Sequence, residues 1–413
     1  MLHFPIPSGT TVPSFLQKRD DTTALISFTS HLPGNTFDHQ HQDMDRRKFI
    51  TGGLLAAAFL QLSKKGFAAS ITKQVTEDDR KFWKDCLEYA KWSPSAHNIQ
   101  PWKLKVVSAD EAELHIDCSR FLHADTSSAF TIIGATIFSE YMDLAASVFG
   151  KSIETTFDLN PIPLDYSRTG TIKIGSMKVK DRTTPVAFDP KLILERKTSR
   201  KKYNGVAVEE NIMSEFASIT SSFGQTLEHT SDKEKVKNIL VANMETLFTD
   251  IKEEDMRNEL INWLRYTDAD ALLKKDGLWS RAMEIKPATM KKFFEHNSRY
   301  DHGLAKRLVC KNYLHGMEGT ATVAWLHGSF ATPADWIACG KSLAQLWLKM
   351  TERNIFLHPF GSLITNKNAH AEFVRNFPLD EKPTDQYWFI FRMGYSEEPV
   401  RSYRLDTENI FIS

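Results

Sequence analysis

From residue 76 onward the chain switches between two spacings of apolar residues. Phe82, Trp83, Cys86, Leu87 and Ala90 recur at helical intervals. Thr76-Glu77-Asp78-Asp79, just ahead of them, has the form of a capping box, and Pro94 marks the end of the predicted helix. Residues 102–107 and 113–117 alternate apolar with polar side chains and predict two paired strands. The stretch 132–149 is apolar on more than one side, which predicts a buried helix, and strand-like pieces follow around 152–158 and 171–179.

A comparable plan then recurs. A charged helix end over 192–200 leads to predicted helices near 209–219 and 233–249, and 255–317 reads as helical with many charges. Residues 321–326 predict a strand. Thr332-Pro333-Ala334-Asp335 starts another helix, with a cap residue, a proline at the first helical position and an acid third. Trp336, Gly340, Leu343, Trp347 and Met350 form its stripe. Tyr387-Trp388-Phe389-Ile390-Phe391 is a continuous apolar run suited to the middle of a sheet. The two buried helices, 132–149 and 333–352, each carry an early glycine and precede an extended segment, which hints at an internal duplication.

Length and composition narrow the reading. A chain of 413 residues allows two or three folding units or one duplicated one. Its 52 basic and 52 acidic side chains balance, so nothing points to a nucleic-acid partner, which needs a concentrated basic surface. Cys86, Cys118, Cys310 and Cys339 are scattered and form no CxxC, and a single disulfide stays open. His358 and His370 have no third ligand beside them, so no metal is expected. Cys339-Gly340-Lys341-Ser342 ends like a phosphate loop, but Asp335 holds the place of the required glycine.

Arg46-Arg47 followed by the apolar run Gly52 to Leu60 and small residues at Gly66, Ala68 and Ala69 resembles a twin-arginine export signal. The run is too short to span a bilayer, which takes about 20 residues. Residues 1–43, rich in Pro, Ser, Thr, His and Gln, read as a disordered extension, with Met44 as the initiator. The signal segment is then 44–69. A periplasmic or cell-envelope location follows, with the twin-arginine translocase as a transient partner.

Two short constellations carry candidate chemistry. Ser93 to Trp102 places hydroxyl, amide and imidazole groups on a proline-bounded turn, where Ser95 and Asn98 could meet the polar edge of a planar heterocycle. Arg196-Lys197-Thr198-Ser199-Arg200 puts two guanidinium forks four residues apart, sharing a face if helical. With a hydroxyl at Thr198 or Ser199 they suit a phosphate.

Together these segments resemble the nitroreductase-like FMN-binding superfamily. The resemblance rests on Arg196/Thr198/Arg200, on Pro94-Ser95-x-x-Asn98-x-Gln100-Pro101-Trp102, and on Gly394-Tyr395-x-x-x-Pro399-x-Arg401. Because the proline-serine segment precedes the arginine segment, it is similar to the Acg-type subfamily, in which one chain holds two nitroreductase-like halves and a lid over the flavin. The resemblance implies an α+β fold of mixed or antiparallel sheets flanked by helices. It implies halves at 70–190 and 191–405, with a helical lid insertion over about 255–317. FMN is the implied cofactor, held by Arg196, Thr198, Arg200, Ser95, Asn98, Gln100, Arg401 and Arg404. No side chain is expected to be catalytic, because the flavin carries the chemistry.

Two activities follow from the resemblance. One is hydride transfer through FMN from NAD(P)H to a nitroaromatic or quinone-like acceptor. The other is FMN storage under a closed lid, and export to a compartment poor in NAD(P)H keeps that alternative open. The chain is expected to be a monomer resembling a pseudo-dimer, or a homodimer.

Overall fold

The first helix, α1 (Glu77–Ala90), starts where the capping box predicts. Thr76 Oγ accepts from the Asp79 amide at 3.2 Å, and the Asp79 carboxylate accepts from the Thr76 amide at 2.8 Å. The computed structural model describes residues 75–376 and 381–413; the predicted extension (1–43) and export segment (44–69) lie outside the described residues. Strands β1 (Trp102–Val106) and β2 (Glu111–Asp117) pair antiparallel as the alternation predicts. Helix α2 (Ala129–Ala146) follows, with fifteen of its eighteen residues buried. The Asp125 carboxylate caps it, accepting from the amides of Phe130 (3.1 Å) and Thr131 (2.7 Å). Strands β3 (Lys151–Phe157) and β4 (Thr171–Asp181) complete an antiparallel sheet of order β1-β2-β4-β3.

After α3 (Lys191–Glu195) and α4 (Glu210–Ser221) comes strand β5 (Gln225–Thr230), which the sequence did not announce. The helical stretch follows: α5 (Lys233–Asp250), α6 (Glu254–Trp263), α7 (Asp268–Lys274), α8 (Pro287–Glu295) and α9 (Gly303–Gly316). Within it a short parallel pair, β6 (Leu264–Arg265) and β7 (Leu278–Trp279), clips the middle together. The chain returns through β8 (Thr322–Gly328), α10 (Pro333–Glu352), β9 (Phe356–Pro359), α11 (Ser362–Thr365), α12 (Lys367–Asn376) and β10 (Gln386–Gly394). The second sheet is antiparallel with order β5-β8-β10-β9.

The two sheets therefore share one connectivity. In each, the second strand leads to a long buried helix, the third lies at an edge, and the fourth slots between them. The second sheet differs in the helical stretch set between its first two strands. One hydrophobic core runs through both sheets, α1, α2 and α10, so the halves predicted at 70–190 and 191–405 do not own separate cores. A smaller cluster with Val236, Ile239, Phe360 and Phe373 covers the far face of the second sheet. Burial on both faces explains why β8 is buried throughout and why β10 reads as a continuous apolar run. The first sheet has one such face, and β2 alternates accordingly. The four cysteines are free thiols, three of them buried.

Helices α2 and α10 cross closely at Gly340. A Cβ there would stand 2.5 Å from Thr136 Cβ and 3.0 Å from the Ile133 carbonyl oxygen. Gly340→Ala must push the helices apart, at an expected cost of about 1–3 kcal/mol. Urea unfolding measures it; an unchanged midpoint would mean the crossing has slack.

Candidate cofactor site

The segment Ser93 to Pro101 links α1 to β1 under unusual backbone constraint. His97 (φ 48°), Asn98 (φ 54°) and Gln100 (φ 49°) all lie in the left-handed region without being glycine. Each such residue costs of order 1–2 kcal/mol, so the surroundings must impose the shape. They do. Ser95 Oγ accepts from the Gln100 amide at 3.0 Å, and Asn98 Nδ2 donates to the carbonyls of Tyr403 (3.1 Å) and Gly277 (3.4 Å). Gln100 Nε2 donates to the Lys275 carbonyl at 2.9 Å, and its Oε1 accepts from the Leu405 amide at 2.9 Å. The amides of Asn98 and Gln100 thus tie the loop to the helical stretch and to the C-terminal segment. Asn98 Oδ1, His97 Nδ1 and the Ser93 hydroxyl stay buried without a hydrogen-bond partner.

Arg196 lies one residue beyond α3. Its backbone is extended (ψ 125°), so the expected helical face shared with Arg200 does not form. The segment is drawn out instead because Thr198 and Ser199 pair along Leu357 of β9, the Ser199 amide donating to its carbonyl at 3.1 Å. The Ser199 hydroxyl is engaged with Ser396 Oγ at 2.7 Å. Nor is this a solvated basic surface, since Arg196 is only 3% exposed.

The two arginines enter separate groups. Arg196 donates through Nη2 to the Trp92 carbonyl (2.9 Å) and lies 4.4 Å over the Trp347 ring, while its Nε and Nη1 have no partner. Arg401 stacks on Trp92 at 3.3 Å, and Arg404 lies 5.5 Å from the same ring with its Nε unpartnered. Burial, then the charge of Arg196, lowers Arg401 to about 9. Arg404 is pushed well down by burial, Arg196 and Arg401 together. The buried Tyr141 hydroxyl and Trp347 Nε1 also lack partners.

Arg200 belongs with Arg392. Burial, then Arg392, lowers Arg200 to about 10, and its Nε is unpartnered. Arg392 is wholly buried in β10, lies 4.3 Å over the Tyr203 ring, and donates to Lys201 O (2.8 Å), Thr320 Oγ1 (3.1 Å) and His358 Nδ1 (3.2 Å). Neither it nor His358 was singled out from sequence as part of this site. The available signal was a cation inside the apolar run ending at Met393.

Among the described residues none of these five guanidiniums is paired with a carboxylate. Arg120 and Arg265 show the ordinary arrangement, both bonded to Asp276 (3.0 and 2.6 Å) beside a cavity of about 540 Å³ that Trp263 and Glu259 also line. Arg196 and Arg392 are buried and Arg200, Arg401 and Arg404 half-buried, and cations so placed without counter-charge suit an anion.

His97 is held at about 4, against 6.5 for a free imidazole, first by burial and then by Arg200. A base depressed in the folded state leaves the unfolded chain binding the extra proton, so stability falls as pH drops from about 6.5 to about 4. Denaturant titrations at pH 7.5 and pH 5 should show a smaller loss for His97→Gln than for the parent; equal losses would mean His97 titrates normally.

No family model matches the chain, and no curated protein matches it. Among solved structures it is similar to a nitroreductase with bound FMN from Bacteroides fragilis (10% identity, 52% of this chain, 92% of the other, TM-score 0.30). It is also similar to an FMN-dependent nitroreductase from Mycobacterium smegmatis in complex with NADPH (15% identity, 50% and 86%, TM-score 0.29). A nitroreductase-like family protein from Bacillus cereus stands alongside (11% identity, 55% and 97%, TM-score 0.28). Likeness at these scores assigns nothing to this chain, whose α+β class rests on its own two antiparallel sheets and their flanking helices.

Proposed function

We propose that this chain is an FMN-binding protein of the nitroreductase type, with its flavin phosphate held by Arg196, Arg401 and Arg404. The observation that carries the reading is that these three guanidiniums, Arg196 buried and Arg401 and Arg404 half-buried, two with unpartnered nitrogens and none with a carboxylate, meet where the sequence motifs point. Their donor set fits a phosphate monoester, which carries about two negative charges. Ser95 and Asn98, on a loop held in a costly backbone shape, would face the flavin edge; the free Asn98 Oδ1 is an acceptor suited to a ring N–H. Gln100 acts behind them, fixing the loop. Thr198 is assigned to the ribityl chain on the resemblance alone.

When bound, FMN supplies reversible hydride transfer. The chain's own part is to bind, to orient and to exclude water. Reduction of a nitroaromatic or quinone-like acceptor at the expense of NAD(P)H is the first reading. Storage is the second, favoured by how the helical stretch is latched. Lys275 pairs with Asp406 at 2.6 Å, and Trp279 packs 5.2 Å from Tyr403. The shared strand order supports an internal duplication and a monomer shaped like a pseudo-dimer. The loop before β1 spans 91–101, whereas its counterpart before β5 spans 222–224, which supports one flavin per chain. Export by the twin-arginine route belongs to the same proposal, supported by Arg46-Arg47 and the apolar run after them.

The test is the visible spectrum of the purified protein, followed by anaerobic NAD(P)H. Flavin bands at one FMN per chain that bleach indicate a reductase. Bands that persist indicate storage. A colourless protein that also refuses added FMN removes the proposal.

A further inference from the structure

The cavity of about 540 Å³ beside Asp276 opens between the segment after β2 and helices α6 and α7, and it shares no lining residue with the group assigned to FMN. Its ionic side chains balance in number, Arg120, Arg265 and Lys274 against Asp255, Glu259 and Asp276, but not in place. Asp276 alone serves both guanidiniums, Arg120 at 3.0 Å and Arg265 at 2.6 Å. Asp117, 3.8 Å from Arg120, is itself shared with Lys103 at 3.5 Å. Lys274 has no ion pair among the described residues, so this end of the cavity is left positive. Asp255 and Glu259, one turn apart on α6, likewise have no ion pair among the described residues, and their end is left negative. Glu259 is 8% exposed and takes the His123 amide. Burial raises its carboxyl above the usual range, while the amides of His123 and Ala124 pull the other way.

We propose that this cavity binds a short peptide of two or three residues with free termini, its ammonium group at Asp255 and Glu259 and its carboxylate at Arg120 and Lys274. Asp255, Asn258, Glu259 and Asn262 follow the spacing i, i+3, i+4, i+7 and line the cavity from one face of α6. The two carboxamides can accept from a peptide N–H and donate to a peptide carbonyl between the charged ends. Eight residues separate Asp255 from Trp263, a rise of about 12 Å, and an extended tripeptide spans roughly 10 Å. A single amino acid is too short to reach both ends. Trp263 and Phe121 offer aromatic surface to a side chain. Arg120 Nη1 is occupied by Asp276 and the Ile99 carbonyl, whereas its Nη2 has no partner among the described residues and is left for the carboxylate. None of this depends on the flavin.

Calorimetry tests the site with Ala-Phe-Ala, its N-acetyl form and its C-terminal amide, added to the protein as purified. The free peptide should bind, and each capped form about tenfold more weakly, because each loses one charge-assisted contact. Asp255→Asn should shrink the penalty for acetylation and leave that for amidation, and Lys274→Gln should do the reverse. Both side chains are exposed, so folding is spared. Glu259→Gln, which keeps an acceptor for the His123 amide, should act as Asp255→Asn does. No heat from the free peptide at millimolar concentration overturns the proposal, as does equal binding of the three forms. Variants that leave both penalties untouched, or change both alike, overturn it too, since the peptide would then lie elsewhere. Repeating the titration with added FMN separates the two sites. Peptide binding unchanged by FMN, or seen in protein that takes no FMN, sustains the site; displacement by FMN would put the peptide in the flavin pocket and remove it.

Discussion

Arg196→Met should weaken flavin binding yet leave the FMN-free form as stable as the parent or more so. The side chain is 3% exposed, its Nε and Nη1 are unpartnered, and no carboxylate offsets its charge. Exchanging such a buried ion for an apolar chain of similar length is often neutral or favourable, by up to about 4 kcal/mol. The lost hydrogen bond to Trp92 O and the stacking on Trp347 pull the other way. A charge-assisted contact to phosphate is worth about 1.5–3 kcal/mol, so FMN should bind roughly ten- to a hundredfold more weakly. Methionine is the informative choice because alanine at a buried position would add a cavity to the count. Flavin fluorescence titration and thermal melts of the FMN-free protein separate the two effects. A large fall in melting temperature with FMN affinity intact would make Arg196 a structural strut and dissolve the phosphate assignment.

Gly319→Ala should be the most damaging single methyl in the region. Gly319 has φ 75°, and a Cβ there would overlap the Tyr203 carbonyl oxygen. The contact is between backbones, with the Tyr203 amide donating to Glu318 O and the Gly205 amide to Gly319 O, each at 3.0 Å. Neither side can rotate away. Left-handed strain of about 1–2 kcal/mol adds to about 1–3 kcal/mol of overpacking, so a loss of at least about 3 kcal/mol is expected. FMN retention should fall too, because the displaced segment carries Arg196 to Tyr203. Gly316→Ala, facing open space at the end of α9, is the control and should stay within about 0.5 kcal/mol of the parent. If the two variants melt alike, the 203–205 segment is not held as tightly as its hydrogen bonds indicate.

Much of the fold was legible because its strongest signals are local. Capping boxes at Thr76 and Thr332, the alternation of β1 and β2, and the all-round apolar α2 and central β10 each depend on neighbours in sequence. Strand β5 escaped because Gln-Thr-Leu-Glu-His-Thr at a sheet edge has little apolar content, and β9, though it falls in the extended segment expected after 333–352, could not be bounded because four residues ending in proline carry little pattern. The site was half legible. Its motif residues do lie near one another, but sequence spacing misplaced the two arginines: pairing of Thr198 with Leu357 overrides the helical continuation. Trp92, Trp347, His358 and Arg392 join the groups through contacts between distant segments, which no local window reveals. An arginine with no exposed surface runs against the usual distribution of charge, so burial itself became the signal only in three dimensions.

Under the proposed duplication, the crossing of α2 and α10 bears on what joining two similar halves in one chain permits. Thr136 and Gly340 each stand seven positions after the first residue of their helix, in helices with the same place in the two connectivities. In a dimer of identical subunits both sides of that crossing would carry the same residue, either two threonines in collision or two glycines around a void. A fused chain escapes this symmetry. It can set a projection on one helix against a hollow on the other, each altered only once, and so grow lopsided. The same freedom would let the first half keep the long loop at 91–101 while the second, whose corresponding turn takes three residues, supplies the arginines.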